Sequence, residues 1–298
     1  MPEWIGRPSG PYAFALCVKH ASDASRVVRD GELTTVLPVA GGVEVCRATQ
    51  LPDGRLVLRA ESEEGLKRLR FVLALDEGAD HSEFLRRFAR DPLIGKATLR
   101  FQGLRRLRLP TVAQALLRAL CGQLIEARRA RALEHRIVRE TCPRVAGTSF
   151  HVPPTRETFA ALPPTRLRAL GLHARRAAAL VRICRSFDLE RLRALPTDVV
   201  AARLLRERGV GPWSVGLVCT EGLGRRERGL VGDLSLVKLM SDLRGRWVEA
   251  HETAELLEPY GEWAGPASLY LGMAYKHGLI PLPRPSVSAR PPARFRVA

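Results

Sequence analysis

The pattern of apolar and polar positions changes character near residue 100. Between residues 11 and 90, short apolar runs at 12–18, 33–39, 42–48 and 55–60 read as sheet segments separated by turn residues. Pro52-Asp53-Gly54 supplies hairpin chemistry between two of them. The stretches 65–75 and 82–88 have helical spacing, the second with Ser82 as a cap and Glu83 in its first turn. These features predict an α+β domain around an antiparallel sheet, spanning residues 1–98.

From residue 111 the spacing is helical almost throughout, which predicts a helical domain over residues 99–278. Thr111 is placed to cap a helix carrying Val112, Leu116 and Leu120, interrupted at Gly122-Gln123 before helix resumes over 125–138. Pro153-Pro154 breaks the chain. Further helices are expected over 157–161, 166–170, 173–184, 197–206, 212–221, 234–243, 253–257 and 264–277, with Gly171 as a stop. The segment 279–298 carries Pro281, Pro283, Pro285, Pro291 and Pro292 among arginines, buries little surface, and is expected to be disordered. No fixed-period repeat is visible. The fold class is mainly α with an N-terminal α+β domain.

Charge adds a partner. The 298 residues carry a formal net charge of +17, which favours a polyanion such as nucleic acid. Only Lys19, Lys67, Lys96, Lys238 and Lys276 among the 48 basic residues are lysines, so an arginine-rich coding bias explains part of that charge equally well. No apolar run approaches the ~18 residues of a membrane span. The start MPEWIGRPSG lacks the basic-then-apolar pattern of a secretory signal. A cytoplasmic protein, at the nucleoid in a bacterium, is the expectation. Cys17, Cys46, Cys121, Cys142, Cys184 and Cys219 have no metal-type pairing, the seven histidines have no ligand spacing, and free buried thiols are expected.

The most informative stretch is Leu204-Leu205-Arg206-Glu207-Arg208-Gly209-Val210-Gly211-Pro212-Trp213-Ser214. A helix ends, Gly209-Val210-Gly211 turns the chain, and Pro212 opens a new helix. The turn amides and the helix N-terminus suit one phosphate, gripped without reading sequence. Some twenty residues later comes Leu230-Val231-Gly232-Asp233-Leu234-Ser235, where Asp233 follows an apolar segment and precedes a helix. An N-cap role alone accounts for such an aspartate as well.

In that order and spacing, the two segments resemble the HhH-GPD superfamily of base-excision glycosylases, named for the hairpin, a Gly/Pro-rich segment and this aspartate. The subfamily they are most similar to is 3-methyladenine DNA glycosylase II (AlkA-type). The resemblance covers residues 111–276 and includes Arg118-Ala119-Leu120-Cys121-Gly122-Gln123-Leu124 and Leu167-Arg168-Ala169-Leu170-Gly171-Leu172. Asp91-Pro92-Leu93 is similar to the subfamily's interdomain linker.

The resemblance implies a helix-hairpin-helix glycosylase fold with two helical lobes flanking a cleft. It implies a monomer acting on double-stranded DNA with damaged bases, without a cofactor or a membrane. Asp233 would be the catalytic carboxylate, facing the oxocarbenium-like sugar of a flipped nucleotide. Gly209, Val210, Gly211, Pro212, Ser214 and Gln123 would contact DNA, and Leu124 would fill the vacated stack. Trp213 stands where strand-nicking relatives carry a lysine, so no Schiff base and no lyase activity are expected. Trp213 would instead line the base pocket, attracting a cationic alkylated purine to its ring face, with plain packing as the alternative. Leu217 and Gly272 stand where the subfamily has two further pocket aromatics, which implies a wider pocket and broadened specificity. Hairpins of this type hold a monovalent cation on backbone carbonyls, here those near residues 205–210. A bifunctional 8-oxoguanine-type glycosylase/lyase and a non-catalytic lesion-binding protein are the competing readings.

Overall fold

The computed structural model describes residues 2–123 and 126–282. Five strands, Glu3–Gly6, Arg26–Arg29, Glu32–Val39, Gly42–Gln50 and Leu56–Arg59, form an antiparallel sheet in which the first strand pairs with the fifth and the second lies at the opposite edge. Alternation sets the faces: Leu33, Leu37, Cys46, Leu56 and Leu58 point into one core with Leu66 and Leu69 of the helix Glu63–Val72. Ser62 caps that helix by accepting from Gly65 N. The two edge strands escape the sequence reading because each is four residues long and mixes charged residues with apolar ones, Glu3-Trp4-Ile5-Gly6 and Arg26-Val27-Val28-Arg29, rather than forming an apolar run. The run at 12–18 is not a strand but the short helix Phe14–Val18, whose two buried residues are four apart.

Two helical cores lie beyond the sheet. The first joins the helices Val112–Gly122, Ala127–Thr141, Ala174–Ser186, Thr197–Leu205 and Pro212–Leu217. The second joins Leu234–Arg244 and Ala264–Lys276 to the early segment 84–104, with Phe84, Phe88, Tyr260, Trp263 and Tyr270 stacked at its centre. The boundary expected at residue 98 therefore cuts through a core, because Phe84 and Phe88 find their aromatic partners in Tyr260, Trp263 and Tyr270 rather than in the sheet. The tail also begins later than expected: Ile280 is 5% exposed and belongs to this second core. The rest of the Pro/Arg-rich tail, from residue 283, lies outside the described residues.

Thr111 caps its helix as its sequence position implies, accepting from Gln114 N at 3.0 Å. Ser82 does not cap; its hydroxyl donates to Asp80 at 2.7 Å. The expected helix 212–221 runs as an α-helix to Leu217 and continues as a π-turn, Val218–Gly222. The cysteines are free, five of them buried. No helix among the described residues is long and apolar enough to cross a membrane.

Candidate active site

The hairpin is built from inside. Gly209 has φ of +93°, a conformation L side chains rarely adopt. Val210 N donates to Glu207 O at 3.0 Å, and Val210 itself is buried in the first helical core. Arg182 braces the outside, donating through Nη2 to Arg208 O at 2.8 Å. Gly209 and Pro212 are exposed, and none of the described residues beyond its chain neighbours comes within 4 Å of where a Cβ on Gly211 would lie. The first-turn amides after Pro212 have no intrahelical partner, so this face can hold an anion. The side chain of Val210 serves the core, and only its backbone remains for such a contact.

Gln123 and Ser214, expected at the DNA, are occupied within the protein. Gln123 Nε2 donates to Gly209 O at 2.8 Å and to Ser214 Oγ at 2.9 Å. Ser214 is 1% exposed. The pair fastens the tip of Val112–Gly122 to the hairpin and shapes the DNA-facing surface from behind it. Leu124, the expected wedge, lies outside the described residues.

Asp233 stands where the chain passes between the two helical cores, with Leu230 in the first and Leu236 in the second. It is the N-cap of Leu234–Arg244, its Oδ1 accepting from Ser235 N at 2.9 Å and Ser235 Oγ at 2.5 Å. Capping uses one oxygen only. Oδ2 accepts from Trp213 Nε1 at 3.2 Å, which joins the aspartate to the helix that follows the hairpin. Asp233 and Trp213 are both half-buried, so the carboxylate and part of the indole stay open to a ligand.

Two close approaches that sequence reasoning missed make this meeting possible. A Cβ on Gly216 would lie 2.2 Å from Gly229 O, so the helix Pro212–Leu217 touches the backbone leading to Asp233. Ser268 Oγ accepts from Leu230 N at 2.8 Å and Thr253 Oγ1 from Gly232 N at 2.7 Å, holding that backbone from the other side. A Cβ on Gly122 would lie 2.6 Å from Trp213 Cη2, so the indole rests on the tip of Val112–Gly122. The sequence signal was present as glycines within helical runs, where glycine costs ~1 kcal/mol and implies contact with something.

The indole cannot yield into Gly122 without turning away from Asp233. We expect Gly122→Ala to lower the single-turnover rate of base release about 10- to 100-fold through this misplacement. Its circular-dichroism melt should stay within a few degrees of wild type. An unchanged rate would show that the ring position does not matter.

Gly272 is brought to the site: a Cβ there would lie 3.2 Å from Ser235 Oγ, beside the hydroxyl that holds Asp233. Leu217 is not free to line a pocket. It is 5% exposed and packed in the first core, because the helix turns that side chain inward.

The monovalent cation expected near residues 205–210 would have to share carbonyls that are partly engaged. Those of Glu207, Arg208 and Gly209 already accept N–H donors, and the donor on Arg208 is a guanidinium, whose charge opposes a second cation. No step below uses one. Among the described residues no cluster of three or more His, Cys, Asp or Glu side chains could hold a metal ion.

No family model matches the chain. The DNA-3-methyladenine glycosylase of Bacillus subtilis is 26% identical over 257 residues, covering 83% of this chain and 84% of that protein. The 3-methyladenine DNA-glycosylase of Archaeoglobus fulgidus superposes with a TM-score of 0.79 at 22% identity, over 92% of this chain and 98% of that one. The 8-oxoguanine glycosylase/lyase of Clostridium acetobutylicum, solved with double-stranded DNA, gives 0.74 at 17% identity, over 93% and 99%. The chain thus has the fold of these glycosylases and is similar along most of its length to a DNA-3-methyladenine glycosylase.

Proposed function

We propose that the protein is a monofunctional DNA glycosylase that releases alkylated, positively charged purines from double-stranded DNA, acting as a monomer. The observation that carries this reading is the meeting of Asp233 Oδ2 and Trp213 Nε1 at 3.2 Å beside a hairpin fit to hold a phosphate.

The hairpin grips the backbone at Gly209, Gly211 and Pro212, and Leu124 fills the stack vacated by the everted nucleotide. Eversion costs a few kcal/mol, least for a damaged pair. The base enters against Trp213, whose ring face attracts a cation. As the C1′–N bond lengthens, positive charge grows on the sugar, and the fixed Asp233 carboxylate stabilises it with no reorganisation at the moment of reaction. The same carboxylate orients the attacking water. With glycine at 272 and a core-packed leucine at 217, no aromatic ring from either position narrows the pocket, which supports a range that includes lesions bulkier than 3-methyladenine. Release of free bases from a panel of alkylated duplexes tests this substrate range: strict preference for 3-methyladenine sinks the broadened specificity, and no release from any substrate sinks the reading as an enzyme.

Trp213 cannot form a Schiff base. Incubation with damaged duplex and borohydride should therefore give no covalent protein–DNA adduct, and the product strand should break only after alkali. A trapped adduct on denaturing gels would identify a lyase instead.

A further inference from the structure

A second cavity lies away from Asp233, at the junction of the sheet layer with both helical cores. It encloses about 40 Å³ and is lined by Arg105, Arg106, Arg108, Arg225, Arg226 and His81. A single water needs only ~10–15 Å³. None of the described residues lining it is Asp or Glu. Gly265, on its wall, is seven residues from Gly272 along one helix, or ~10 Å, so this space is separate from the reacting site.

Two polar atoms of its lining residues are buried without a partner: Arg105 Nε and His81 Nδ1. Such groups in native proteins are paired with protein, water or ligand. The carboxylates nearby lie outside the wall and do not meet the whole demand. Asp76 holds Arg108 at 2.6 Å and Glu262 holds Arg226 at 2.8 Å. Asp80 stays 3.9 Å from Arg105, whose side chain is 1% exposed. Glu221 binds Arg106 but is shared with Arg118. Among the described residues Arg225 is held only by the carbonyls of Arg193 and Leu195, at 2.8 and 3.0 Å. Burial pushes the guanidinium groups of Arg105 and Arg108 below their usual range and lowers His81 to about 3, as expected of cations withdrawn from water. The wall also holds Ala74, which has φ of +54°, and Thr220 of the π-turn, a conformation often found at functional sites.

From the arginine-lined cavity, with no Asp or Glu among its described lining residues, and the two unpartnered buried nitrogens on Arg105 and His81, we propose that this junction binds a small tetrahedral oxyanion, free phosphate in type, that ties the sheet layer to the helical body. Phosphate on a DNA backbone has the same chemistry, and competition separates the two sources.

The test is thermal unfolding of the full chain in sodium phosphate against sodium chloride at matched ionic strength. Gly78 lines the mouth, is exposed, and has open space where a Cβ would go. Gly78→Glu therefore brings a carboxylate to the cavity without crowding, and Gly78→Ala controls for the added Cβ. Wild type and Gly78→Ala should melt about 3 °C higher at ten times the phosphate dissociation constant, saturably. Gly78→Glu should lose the shift while releasing bases at the wild-type rate. Broadening of the phosphorus resonance of inorganic phosphate should persist when undamaged duplex is added. No phosphate-specific shift in wild type, an intact shift in Gly78→Glu, or displacement of phosphate by the duplex each overturns the proposal.

Discussion

Asp233→Asn is expected to lower the single-turnover rate of base release about 10³-fold, in the range seen when a positioned charge or proton acceptor is removed from a reacting centre. Affinity for a damaged duplex should change by less than about 3-fold. The substitution is nearly isosteric, and asparagine caps helices as well as aspartate does, so Ser235 N keeps an acceptor and the melt should barely move. What disappears is the negative charge and the acceptor facing Trp213 Nε1, 3.2 Å away: an amide nitrogen there presents a donor to a donor. Asp233→Ser separates the two roles, since serine still caps but reaches neither the indole nor the sugar. Both variants should be equally inactive and equally stable. If either releases bases at the wild-type rate, Asp233 is a helix cap and the catalytic assignment falls.

The dual use of Asp233 marks the limit of what the sequence displayed. Its capping role was legible because it depends on residues two positions apart. Its contact with Trp213 depends on how two helices twenty residues apart pack, and that follows from glycine contacts at Gly216 and Gly122 that no local pattern encodes. The helix termini at Thr111, Pro212 and Asp233 were readable for the same local reason. The partition of the chain was not. Phe84 and Phe88 look like part of the first domain along the sequence, yet their rings pack against Trp263, Tyr270 and Tyr260. Side-chain direction was equally hidden: Ser214 was expected at the DNA and Leu217 in the base pocket, and both point into the protein.

The largest stability effect is expected at Arg118, four residues before Gly122. Its guanidinium donates to Glu134 at 2.9 Å, Glu221 at 3.0 Å and Asp23 at 3.1 Å, so one cation joins the sheet layer, the helices Val112–Gly122 and Ala127–Thr141, and the π-turn. Glu221 and Asp23 retain Arg106 and Arg26 if it is lost. Glu134, 3% exposed, has no other ion-pair partner among the described residues. Arg118→Met should therefore cost about 3–5 kcal/mol, the scale for stranding a buried charge, and lower the melting temperature by roughly 10 °C. Adding Glu134→Gln should restore part of that loss; a double variant less stable than Arg118→Met would show that Glu134 is not the stranded group. The pH dependence has a definite sign. Arg26 and Arg118 hold Asp23, and Arg118 and Arg106 hold Glu221, below the usual carboxylate range despite the opposing effect of burial. Carboxylates shifted down on folding stabilise the protein above their unfolded value near pH 4 and lose that contribution as pH falls through the lowered folded one. Without Arg118 those folded values rise, so the variant should begin to lose stability on acidification at a higher pH than wild type, measured by urea midpoints between pH 7 and 3. Parallel curves would show that Asp23 and Glu221 are held by something other than this guanidinium.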